Sequence, residues 1–575
     1  MDYKVAYNNW LSNPSLSAEA FEELNLIKNN EKEIEYRFGA ELQFGTAGMR
    51  GLIGYGTNMM NVYTVKRATK GLAEYIKTLG YSAMDRGVCI SYDTRNFSEV
   101  FAKATAGVLL KNGIKVRLFK EPSPVPMLSF AVRKYKAVAG VMITASHNPK
   151  EYNGYKVYGE DGAQMSPEAT EKVVGFISEV TNYFSIDETP VETIRSQGDL
   201  YVIGKSFLRL YLRTLSKLSL SKKAVQKFGK KLKIVYTPLH GTGYTPVTGI
   251  LKKLGINVTV VDEQVKHDGN FPTVEVPNPE NKEALKMAIA LADKISADVV
   301  FGTDPDSDRL GVAIRNNDGE FIALSGNQVG VLMCDYILRR LKEENKLSEN
   351  GVVIKSFVST GMVKPICDDY KVALIEVPVG FKYIGEKIKQ FEKDKSATFL
   401  FGFEESCGYL RGTHSRDKDA VVASMLFAEM TCYYEYIGTT VYNVLLSLYE
   451  KYGYVLDKTD SVKYEGLSAM ADMNAVVEKM RLLKVEKVGE YNVLATRDYL
   501  TGIRITAGGT ETALDVKGVN CLYYELEIGG FICLRPSGTE PKLKIYYSVC
   551  GKNEQLAEKS LSDLQTGFKE LLGRK

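Results

Sequence analysis

Long apolar runs and paired cysteines are missing from this sequence. The longest wholly apolar stretch runs only from Ala137 to Ile143, whereas a membrane-spanning helix needs roughly 20 apolar residues. The first residues show no apolar core beside a positively charged region, so they lack the pattern of a secretory signal. The eight cysteines contain no CxxC pair, which predicts neither a zinc cage nor a disulfide framework. We therefore expect a soluble, cytosolic protein with buried thiols.

The sequence also has no large excess of positive or of negative charge. Lys and Arg number 74 and Asp and Glu number 70, a net charge of +4 at pH 7. The basic residues form no dense block of the kind that binds nucleic acid or acidic lipid, so we expect neither partner. With 45% hydrophobic and 25% charged residues, the composition excludes collagen-like and largely disordered classes. At roughly 100 to 200 residues per domain, a chain of 575 residues predicts several domains.

Short apolar runs rich in Val and Ile are present, and each is followed by a segment of helical period. The clearest of these runs cover residues 87–92, 233–236, 298–301 and 352–357. Continuous apolar runs of this length are typical of strands that are buried on both faces of a parallel sheet. Their alternation with helices predicts α/β domains.

A repeated pattern links the first two predicted domains. Gly107-VLLKN-Gly113-IKV is echoed by Gly249-ILKKL-Gly255-INV, and in each segment a helix ends on a glycine and leads into a strand. A weaker third pattern of strand, turn and helix begins near Phe321. The last part of the chain changes to short strands and a terminal helix, which is an α+β pattern. Polar, linker-like stretches divide the chain into four predicted domains, at residues 1–205, 206–318, 319–448 and 449–575.

The first candidate for chemistry is the sequence TASHNP at residues 144–149, which follows an apolar run directly. A serine hydroxyl is a poor nucleophile unless a base or a cationic environment assists it, and His147 and Lys156 are candidates to assist Ser146. The alternative is an Asx or Ser/Thr turn that only closes the strand. Taken alone, the segment does not decide between the two.

The second candidate is GTDPDSDR at residues 302–309, where Asp304, Asp306 and Asp308 alternate after an apolar run. Three such carboxylates can converge on one hard cation. Arginines stand where an EF-hand loop needs its glycine and its glutamate, so a calcium sensor is excluded. Oxygen ligands with positions left for water or phosphate favour Mg²⁺ over a transition metal. A solvated acidic turn, with Arg309 as the neighbouring cation, is the alternative.

Two further loops complete the set of candidates. RPSGTEPK at residues 535–542 has the components of a phosphate cradle: a guanidinium, two hydroxyls, a glycine and an ammonium. GFEESCGY at residues 402–409, with Arg416 and Lys418 shortly after it, offers acidic groups and a hydroxyl to sugar hydroxyls. Ordinary hairpin turns and charged loops explain each segment taken alone. All four loops together supply what phosphoryl transfer requires, and α/β sheets place such loops at the carboxyl ends of strands.

The motifs resemble those of the α-D-phosphohexomutases. TASHNP, GTDPDSDR, GFEESCGY and RPSGTEPK stand in the family's order, and GTAGMRG at residues 45–51 adds a fifth match. The resemblance spans nearly the whole chain and is nearest to the phosphoglucomutase branch, in a subgroup that includes phosphopentomutases. It implies a heart-shaped α/β fold of four domains, in which three similar α/β domains precede a smaller C-terminal α+β domain.

The resemblance also implies a role for each matched residue. Ser146 would carry the phosphoryl group and, with Asp304, Asp306 and Asp308, would hold Mg²⁺. Arg50 and Lys156 would be the acid/base or charge-stabilising pair, and His147 is a further catalytic candidate beside the serine. The residues that would contact the sugar phosphate are Arg309, Gly380, Phe381, Lys382, Glu404, Ser406, Arg416 and Lys418. The residues that would hold the phosphate that is not reacting are Arg535, Ser537, Gly538, Thr539 and Lys542.

The implied reaction interconverts glucose 1-phosphate and glucose 6-phosphate through a phosphoserine enzyme. Glucose 1,6-bisphosphate would be its intermediate and activator, and small sugar phosphates its only predicted partners. Two departures from the family pattern, Phe403 before the glutamates and Tyr409 after them, are typical of a branch that includes phosphopentomutases. Pentose phosphate and mannose phosphate are therefore alternative substrates. A non-catalytic sugar-phosphate sensor is the alternative of another class, although the intact serine and aspartates argue against it.

Overall fold

The fold is that of a computed structural model. It describes residues 2–45, 48–193, 198–464, 469–537 and 542–573. The chain forms two compact units. The first consists of Met1–Ser325, Ile384–Lys395 and Cys407–Ile437, and the second of Gly326–Tyr383, Ser396–Ser406 and Gly438–Lys575. Among the described residues, no helix is long and apolar enough to cross a membrane.

The first unit begins with a six-stranded sheet and its helices. The strands are β1 (Gly48–Leu52), β2 (Val88–Tyr92), β3 (Val116–Phe119), β4 (Ala139–Ile143), β5 (Tyr152–Gly159) and β6 (Leu200–Ile203). The helices are α1 (Tyr3–Leu11), α2 (Ala18–Leu26), α3 (Glu31–Phe38), α4 (Val62–Thr78), α5 (Tyr81–Arg86), α6 (Ser98–Lys111), α7 (Val125–Tyr135) and α8 (Pro167–Glu179). The strand order is β1-β5-β4-β2-β3-β6. The last four are parallel, while β5 is antiparallel to β4 and to β1.

Helices α1 to α3 pack around the single tryptophan. The Trp10 ring lies between 5.4 and 5.6 Å, centroid to centroid, from the rings of Phe38, Tyr63 and Tyr183. Tyr63 belongs to α4, whose N-terminus is closed by a capping box in which the Asn61 side chain accepts two backbone N–H groups. The aromatic contacts thus join the N-terminal helices to the body of the first unit.

A second sheet of five strands follows in the same unit. Its strands are β7 (Ile234–Thr237), β8 (Val258–Val260), β9 (Val299–Thr303), β10 (Leu310–Arg315) and β11 (Phe321–Leu324), in the order β11-β10-β9-β7-β8. Its helices are α9 (Lys205–Leu215), α10 (Lys222–Phe228), α11 (Tyr244–Leu254) and α12 (Lys282–Ile295). The three strands β8, β7 and β9 are parallel, and β10 and β11 are antiparallel additions.

The predicted repeat of the first two sheets is confirmed. After α6 the chain passes through Gly113, with φ of 74°, into β3, which is parallel to β2. After α11 it passes through Gly255, with φ of 82°, into β8, which is parallel to β7. Both glycines therefore occupy the left-handed conformation in which a helix turns into the next strand.

The next part of the chain contributes to both units. Its strands are β12 (Gly351–Ser356), β13 (Ala373–Val377), β14 (Thr398–Glu404) and β15 (Gly408–Leu410). Its helices are α13 (Gly326–Glu343), α14 (Val363–Tyr370), α15 (Phe381–Asp394), α16 (Ala420–Tyr436) and α17 (Val441–Tyr452). In the second unit, β12 is parallel to both β13 and β14. In the first unit, α16 packs on α10 and α11. The third predicted pattern is also present, as β11, α13 and β12.

The C-terminal part of the second unit is an antiparallel sheet covered by two helices. Its strands are β16 (Tyr454–Lys463), β17 (Lys487–Val488), β18 (Tyr491–Asp498), β19 (Ile503–Thr506), β20 (Glu511–Ala513), β21 (Leu522–Leu526), β22 (Phe531–Pro536) and β23 (Lys542–Gly551). The order is β16-β23-β22-β21-β18-β19-β20, with β17 on β18. The helices are α18 (Ala469–Leu482) and α19 (Glu554–Leu571). The α+β prediction for this region is confirmed, whereas the boundaries at 1–205, 206–318, 319–448 and 449–575 stay predictions.

Asp457 on β16 should make the stability of this sheet depend on pH. Its carboxylate accepts a hydrogen bond from Ser548 Oγ at 2.6 Å. Burial raises the pKa of Asp457 to about 6, although hydrogen bonds from Ser548 and Thr360 oppose the rise. An unfolded aspartate has a pKa of about 3.9, so the folded state binds the proton more tightly. The stability that this proton contributes is complete below about pH 4 and is lost as the pH rises through about 6.

We therefore expect Asp457→Asn to stabilise the protein by about 1 kcal/mol at pH 7.5, after allowance for the partial exposure of the side chain, and by less at pH 5. Thermal unfolding midpoints at the two pH values measure the effect. The exposed Asp515→Asn is the control and should leave both midpoints unchanged. The expectation would be contradicted if the difference in unfolding midpoint between Asp457→Asn and the wild-type protein were less favourable at pH 7.5 than at pH 5.

Candidate active site

Ser146 lies just beyond the buried strand β4, on a loop that turns sharply. Its φ of 54° is in the left-handed region, which residues other than glycine seldom adopt. Its N–H donates to Thr144 Oγ1 at 2.8 Å. Ser146 is 3% exposed. A conformation of this kind persists only where surrounding contacts hold it.

Arg95 supplies those contacts, and the sequence analysis missed it. Its guanidinium donates to the carbonyl oxygens of Ser146 at 2.6 Å, Pro149 at 2.8 Å and Tyr152 at 3.1 Å. Its Nε lies 3.3 Å from Asp93 Oδ2, and both side chains are fully buried. Burial lowers the pKa of Arg95, but a guanidinium stays charged in proteins. The signal available in the sequence was the pair Asp93 and Arg95 directly after the apolar run of β2, the same pattern as in the recognised loops.

The three aspartates lie on the loop that follows β9. Asp304 and Asp306 are fully buried and Asp308 is 2% exposed. One oxygen from each carboxylate lies within 4.8 Å of the others. Asp304 Oδ1 accepts the backbone N–H groups of Asp308 at 3.2 Å and Arg309 at 3.1 Å, which closes the loop. The carboxylates are therefore fixed toward one point rather than solvated separately.

The serine loop and the aspartate loop meet within the first unit. Ser146 Oγ donates to Asp304 Oδ2 at 2.9 Å, and Thr144 Oγ1 donates to Asp306 Oδ2 at 3.2 Å. The two loops follow the carboxyl ends of parallel strands in two different sheets, the position where α/β folds bind ligands. The hydroxyl and the carboxylates that the sequence motifs singled out are thus neighbours in space.

The charges of the three carboxylates are only partly balanced by the protein. Burial, and then the charges of Asp306 and Asp308, raise the pKa of Asp304 well above its ordinary value. Burial and Asp306 likewise raise the pKa of Asp308. For Asp306 burial acts in the same direction, but the Lys156 ammonium, 2.9 Å from Oδ2, outweighs it and holds the pKa low. Neither Asp306 Oδ1 nor Asp308 Oδ1 accepts a hydrogen bond from the described residues.

This donor set fits a hard divalent cation. Buried carboxylate oxygens without a hydrogen bond are costly unless something else neutralises them. Three carboxylates with additional positions for water or phosphate suit Mg²⁺, which takes one or two carboxylates together with other oxygen ligands. The residues that would hold the ion are Asp304, Asp306 and Asp308, with Ser146 Oγ beside them.

The segment at residues 45–51 brings Arg50 to the same loops. Strand β1 pairs with β5 so that Gly48 lies opposite Lys156. Gly48 has φ of 123°, and a Cβ atom there would lie 1.9 Å from the Tyr155 carbonyl oxygen, so only glycine allows this pairing. Two strand positions further on, Arg50 Nη1 donates to Asn148 Oδ1 of the serine loop at 3.0 Å. Two residues of this motif, Thr46 and Ala47, lie outside the described residues.

His147 lies next to Ser146 on the serine loop. Its Nδ1 lies 3.3 Å from Ser146 Oγ. Burial lowers the pKa of His147 well below its ordinary value, and the charges of Arg309 and Arg50 lower it further. The imidazole is consequently neutral at pH 7, the form in which one ring nitrogen accepts a proton.

Two of the cations assigned to the sugar phosphate also lie beside the aspartates. Arg309 Nη1 forms an ion pair with Glu280 Oε1 at 2.6 Å. Lys418 Nζ lies 3.1 Å from Asp308 Oδ2 and 3.1 Å from Asp417 Oδ1. Asp417 is the neighbour of Lys418 in the chain, but sequence motifs could not reveal the pairs Arg309–Glu280 and Lys418–Asp308, since their members are distant in sequence. The sugar contact predicted for Lys418 stays a prediction, and its observed contact is with the carboxylate cluster.

Arg416 is built into the fold of the first unit. It is 1% exposed, and its guanidinium pairs with Glu392 and donates to the Thr413 carbonyl oxygen at 2.9 Å. Its backbone N–H donates to Ser129 Oγ at 2.9 Å. Several of its donors are thus used inside the protein, and its predicted sugar contact also stays a prediction.

Residues 402–406 of the predicted sugar-binding motif, which we call the sugar loop, lie in the second unit. Glu404 Oε1 accepts the backbone N–H of Gly380 at 2.7 Å, and this joins the two predicted sugar-binding segments. Phe381 is 3% exposed, so its side chain packs rather than faces solvent. The Lys382 ammonium lies 4.9 Å from the centroid of the Tyr383 ring. Ser406 ends this part of the second unit.

The predicted phosphate loop joins β22 to β23 in the same unit. The backbone N–H of Ser537 donates to the carbonyl oxygen of Lys542 at 2.8 Å, which closes the base of the loop. Arg535 is half-buried on β22. Gly538 and Thr539 lie outside the described residues. The predicted sites therefore form two groups, one in each unit. The first unit holds Ser146, His147, Arg50, Lys156, the three aspartates, Arg309, Arg416 and Lys418; the second holds Gly380, Phe381, Lys382, Glu404, Ser406, Arg535, Ser537 and Lys542.

Comparisons with known proteins give one consistent result. Models of the α/β/α domains I, II and III of phosphoglucomutase/phosphomannomutase match residues 41–184, 209–319 and 325–452. A phosphoglucomutase of Staphylococcus haemolyticus is 36% identical over 91% of this chain and 93% of its own length. A phosphoglucomutase of Staphylococcus aureus is 36% identical over 93% of this chain and 95% of its own.

A solved structure has the same fold. The open form of parafusin, a phosphoglucomutase of Paramecium, aligns with a TM-score of 0.67 over 93% of this chain and 96% of its own, at 16% identity. The α/β architecture that the motifs implied, with a β-rich domain after three α/β/α domains, is confirmed. The chain belongs to the phosphoglucomutase/phosphomannomutase family.

Proposed function

We propose that this protein is a phosphoglucomutase that interconverts glucose 1-phosphate and glucose 6-phosphate. The observation that carries the proposal is the contact between the Ser146 hydroxyl and the buried Asp304 carboxylate, 2.9 Å apart, with two further buried aspartates beside them. The relatives that are 36% identical over most of the chain are phosphoglucomutases, and this supports glucose phosphate as the substrate.

The residues around Ser146 fit the demands of phosphoryl transfer. Negative charge spreads over the oxygens of the phosphoryl group during transfer, so the main task of the protein is to stabilise charge. Lys156 lies beside Asp306 and Arg50 beside Asn148, and both can face a phosphoryl group on Ser146. His147 Nδ1, 3.3 Å from Ser146 Oγ, is the proposed partner for the serine proton when the hydroxyl attacks a phosphate; because its pKa is lowered, it would hold that proton only transiently.

Two transfers would complete the reaction. Ser146 would pass its phosphoryl group to the free hydroxyl of the sugar phosphate, which gives glucose 1,6-bisphosphate, and would then accept the opposite phosphoryl group. The same bisphosphate would phosphorylate an idle enzyme, and so act as activator. Mg²⁺ bound by the three aspartates would supply electrostatic stabilisation of the transferring group. Within the second unit, Gly380, Lys382 and Glu404 would contact sugar hydroxyls, and Arg535, Ser537 and Lys542 would bind a phosphate.

The two departures from the family pattern are packing residues. Phe403 is fully buried, and its ring fills the space beside Gly330, where a Cβ atom would lie 2.4 Å from the ring. Tyr409 is 1% exposed. Side chains that are buried in this way do not contact a sugar, so Phe403 and Tyr409 give little support to pentose phosphate as the substrate. Glucose phosphate remains the proposed substrate.

A substrate panel tests this proposal. We expect kcat/KM for glucose 1-phosphate to exceed that for ribose 1-phosphate and mannose 1-phosphate by about tenfold or more, since kcat/KM defines discrimination between substrates. Each should be measured with and without added glucose 1,6-bisphosphate, and activity should depend on Mg²⁺. A higher kcat/KM for ribose 1-phosphate would replace glucose phosphate by pentose phosphate.

Intact-protein mass spectrometry separates the enzyme from a sensor. A working mutase should gain the mass of one phosphoryl group after incubation with glucose 1,6-bisphosphate, and peptide mapping should place it on Ser146. Protein that binds the bisphosphate but stays unmodified would favour the sensor.

A further inference from the structure

The residue after the proposed sugar contact Glu404 makes contacts that sugar binding does not explain. Glu405 Oε2 accepts hydrogen bonds from Ser356 Oγ at 2.9 Å and Ser359 Oγ at 3.3 Å. The backbone N–H of Glu405 donates to Ser359 Oγ at 3.1 Å, and the two serine oxygens lie 2.8 Å apart. Both serines are fully buried. Three hydrogen bonds therefore tie one half-buried glutamate to the residues at the end of β12 and just after it, which we call the serine turn (residues 356–360).

A buried cation, Lys355, holds the serine turn in place. Lys355 is 1% exposed, and its Nζ donates to the carbonyl oxygens of Ser359 at 3.0 Å and Ser356 at 3.4 Å. Its charge is balanced by Glu376 Oε1 at 2.7 Å. The backbone N–H of Thr360 donates to Asn327 Oδ1 at 3.1 Å. A buried ammonium with its partners in place restricts the turn to one conformation, as Arg95 does for the serine loop.

The apolar side of the serine turn packs on the C-terminal sheet. The Phe357 ring stacks on the Tyr499 ring, with centroids 4.3 Å apart and planes 6° from parallel. Phe357 and Val358 share one buried cluster with Tyr523, Cys533 and other residues of that sheet. The turn thus has two faces: its hydroxyls hold Glu405, and its apolar side chains join the sheet that carries Arg535.

The Glu405 carboxylate also acts on Arg535. Arg535 Nη1 donates to Tyr546 Oη at 3.3 Å. Burial lowers the pKa of Arg535, but Tyr546 and the Glu405 carboxylate outweigh it and raise the pKa above its ordinary value. Burial and then Glu405 raise the pKa of Tyr546. The Glu405 carboxylate therefore acts electrostatically on the guanidinium that would bind the non-reacting phosphate.

We infer that Glu405 is a positioning residue, which, through the serine turn, fixes the Glu404–Ser406 loop at one spacing from Arg535. This inference rests on the proposed function. In the proposed function, Glu404 and Ser406 bind the hydroxyls of a hexose phosphate and Arg535 binds its phosphate. Both contacts can form at once only if the Glu404–Ser406 loop and Arg535 stay at a constant distance from each other. All of the residues involved belong to the second unit. Loss of the hydrogen bonds between Glu405 and the serine turn should therefore weaken the binding of the sugar phosphate and leave the chemistry at Ser146 intact.

The test compares steady-state kinetics of Glu405→Gln, Ser356→Ala and the double variant with those of the whole wild-type enzyme. We expect Glu405→Gln to raise KM for glucose 1-phosphate about tenfold, since hydrogen bonds to a charged group are lost, with kcat lowered less than about threefold. Ser356→Ala should raise KM about fivefold. The double variant should be no worse than Glu405→Gln, because the two side chains act through one contact. Hydrolysis of phosphoserine 146 by water, without sugar, should keep its wild-type rate.

Glu527→Gln is the matched control. Glu527 is a carboxylate in the C-terminal part of the second unit that accepts hydrogen bonds from the backbone N–H and the side-chain amide of Asn492, both at 2.8 Å, and neither bond involves the serine turn or the residues that hold it. It should leave KM unchanged even if it lowers the unfolding midpoint. An unchanged KM in Glu405→Gln, a multiplicative loss in the double variant, or an equal rise of KM in the control would overturn the inference. A wild-type enzyme without mutase activity on any sugar phosphate would instead overturn the proposed function.

Discussion

Ser146→Ala should abolish interconversion of glucose 1-phosphate and glucose 6-phosphate, with a fall in kcat of at least about 10⁴-fold, as expected when a nucleophile is removed. The variant should remain folded, since alanine retains the backbone N–H that donates to Thr144 and leaves the carbonyl that Arg95 holds. A coupled assay for glucose 6-phosphate measures the activity, and circular dichroism measures the fold. Incubation with glucose 1,6-bisphosphate should no longer add a phosphoryl group to the protein.

Ser178→Ala is a suitable control for this variant. Ser178 lies exposed on α8 and donates only to the Gly175 carbonyl oxygen, at 2.6 Å, so the loss of its hydroxyl should leave turnover and phosphorylation at the wild-type level. Full activity of Ser146→Ala would remove Ser146 from the mechanism. Phosphorylation of the variant at another residue would mean that the nucleophile lies elsewhere.

The geometry of the candidate site in the first unit was predictable because each motif is contiguous. TASHNP and GTDPDSDR follow apolar runs; β4 ends at Ile143, shortly before Ser146, and β9 ends at Thr303, directly before Asp304. A buried parallel strand must end in a loop at one edge of its sheet, so polar residues placed just after such runs converge there. The α/β pattern and the repeat of the first two sheets followed from the same apolar periodicity.

What the sequence did not reveal depends on contacts between distant segments. Arg95 contacts four carbonyl groups between Ser146 and Tyr152, Lys418 contacts Asp308, and Ser356 contacts Glu405. Periodicity places a residue on a strand or a loop but does not say which distant backbone it meets. The division into units was hidden for the same reason, because the segment 407–437 packs with the first unit although it follows a strand of the second.

Each unit uses a buried cation to hold the loop that carries its proposed chemistry. Arg95 binds carbonyl oxygens of the serine loop, and Lys355 binds carbonyl oxygens of the serine turn. Backbone carbonyls that converge on one cation lose the freedom to relax, so the side chains beyond them stay aimed at fixed points. Preorganisation of this kind lets charges stabilise a transferring group without reorganisation during the reaction.

The second large effect is expected from Asp308→Asn. Asparagine keeps an oxygen that can accept from Lys418, but it removes one of three anions at the proposed Mg²⁺ site. We expect kcat/KM to fall by about 10²–10³-fold, the range found when one preorganised electrostatic partner is lost. The increase in unfolding midpoint that a fixed Mg²⁺ concentration gives to the wild-type protein should also shrink, because the stabilisation by a ligand grows with the logarithm of its affinity for the folded state.

Without metal, the same variant should be as stable as the wild-type protein or more stable. Burial together with Asp306 raises the pKa of Asp308, which means that its ionised form is disfavoured in the fold. Asparagine relieves that repulsion, so the midpoint in EDTA should not fall. Asp318→Asn, in the exposed turn between β10 and β11, is the control and should change neither activity nor the response to Mg²⁺. If Asp308→Asn instead lowered the midpoint in EDTA while Mg²⁺ kept its full effect, Asp308 would be a structural anchor, and the cation would have to be held by other residues.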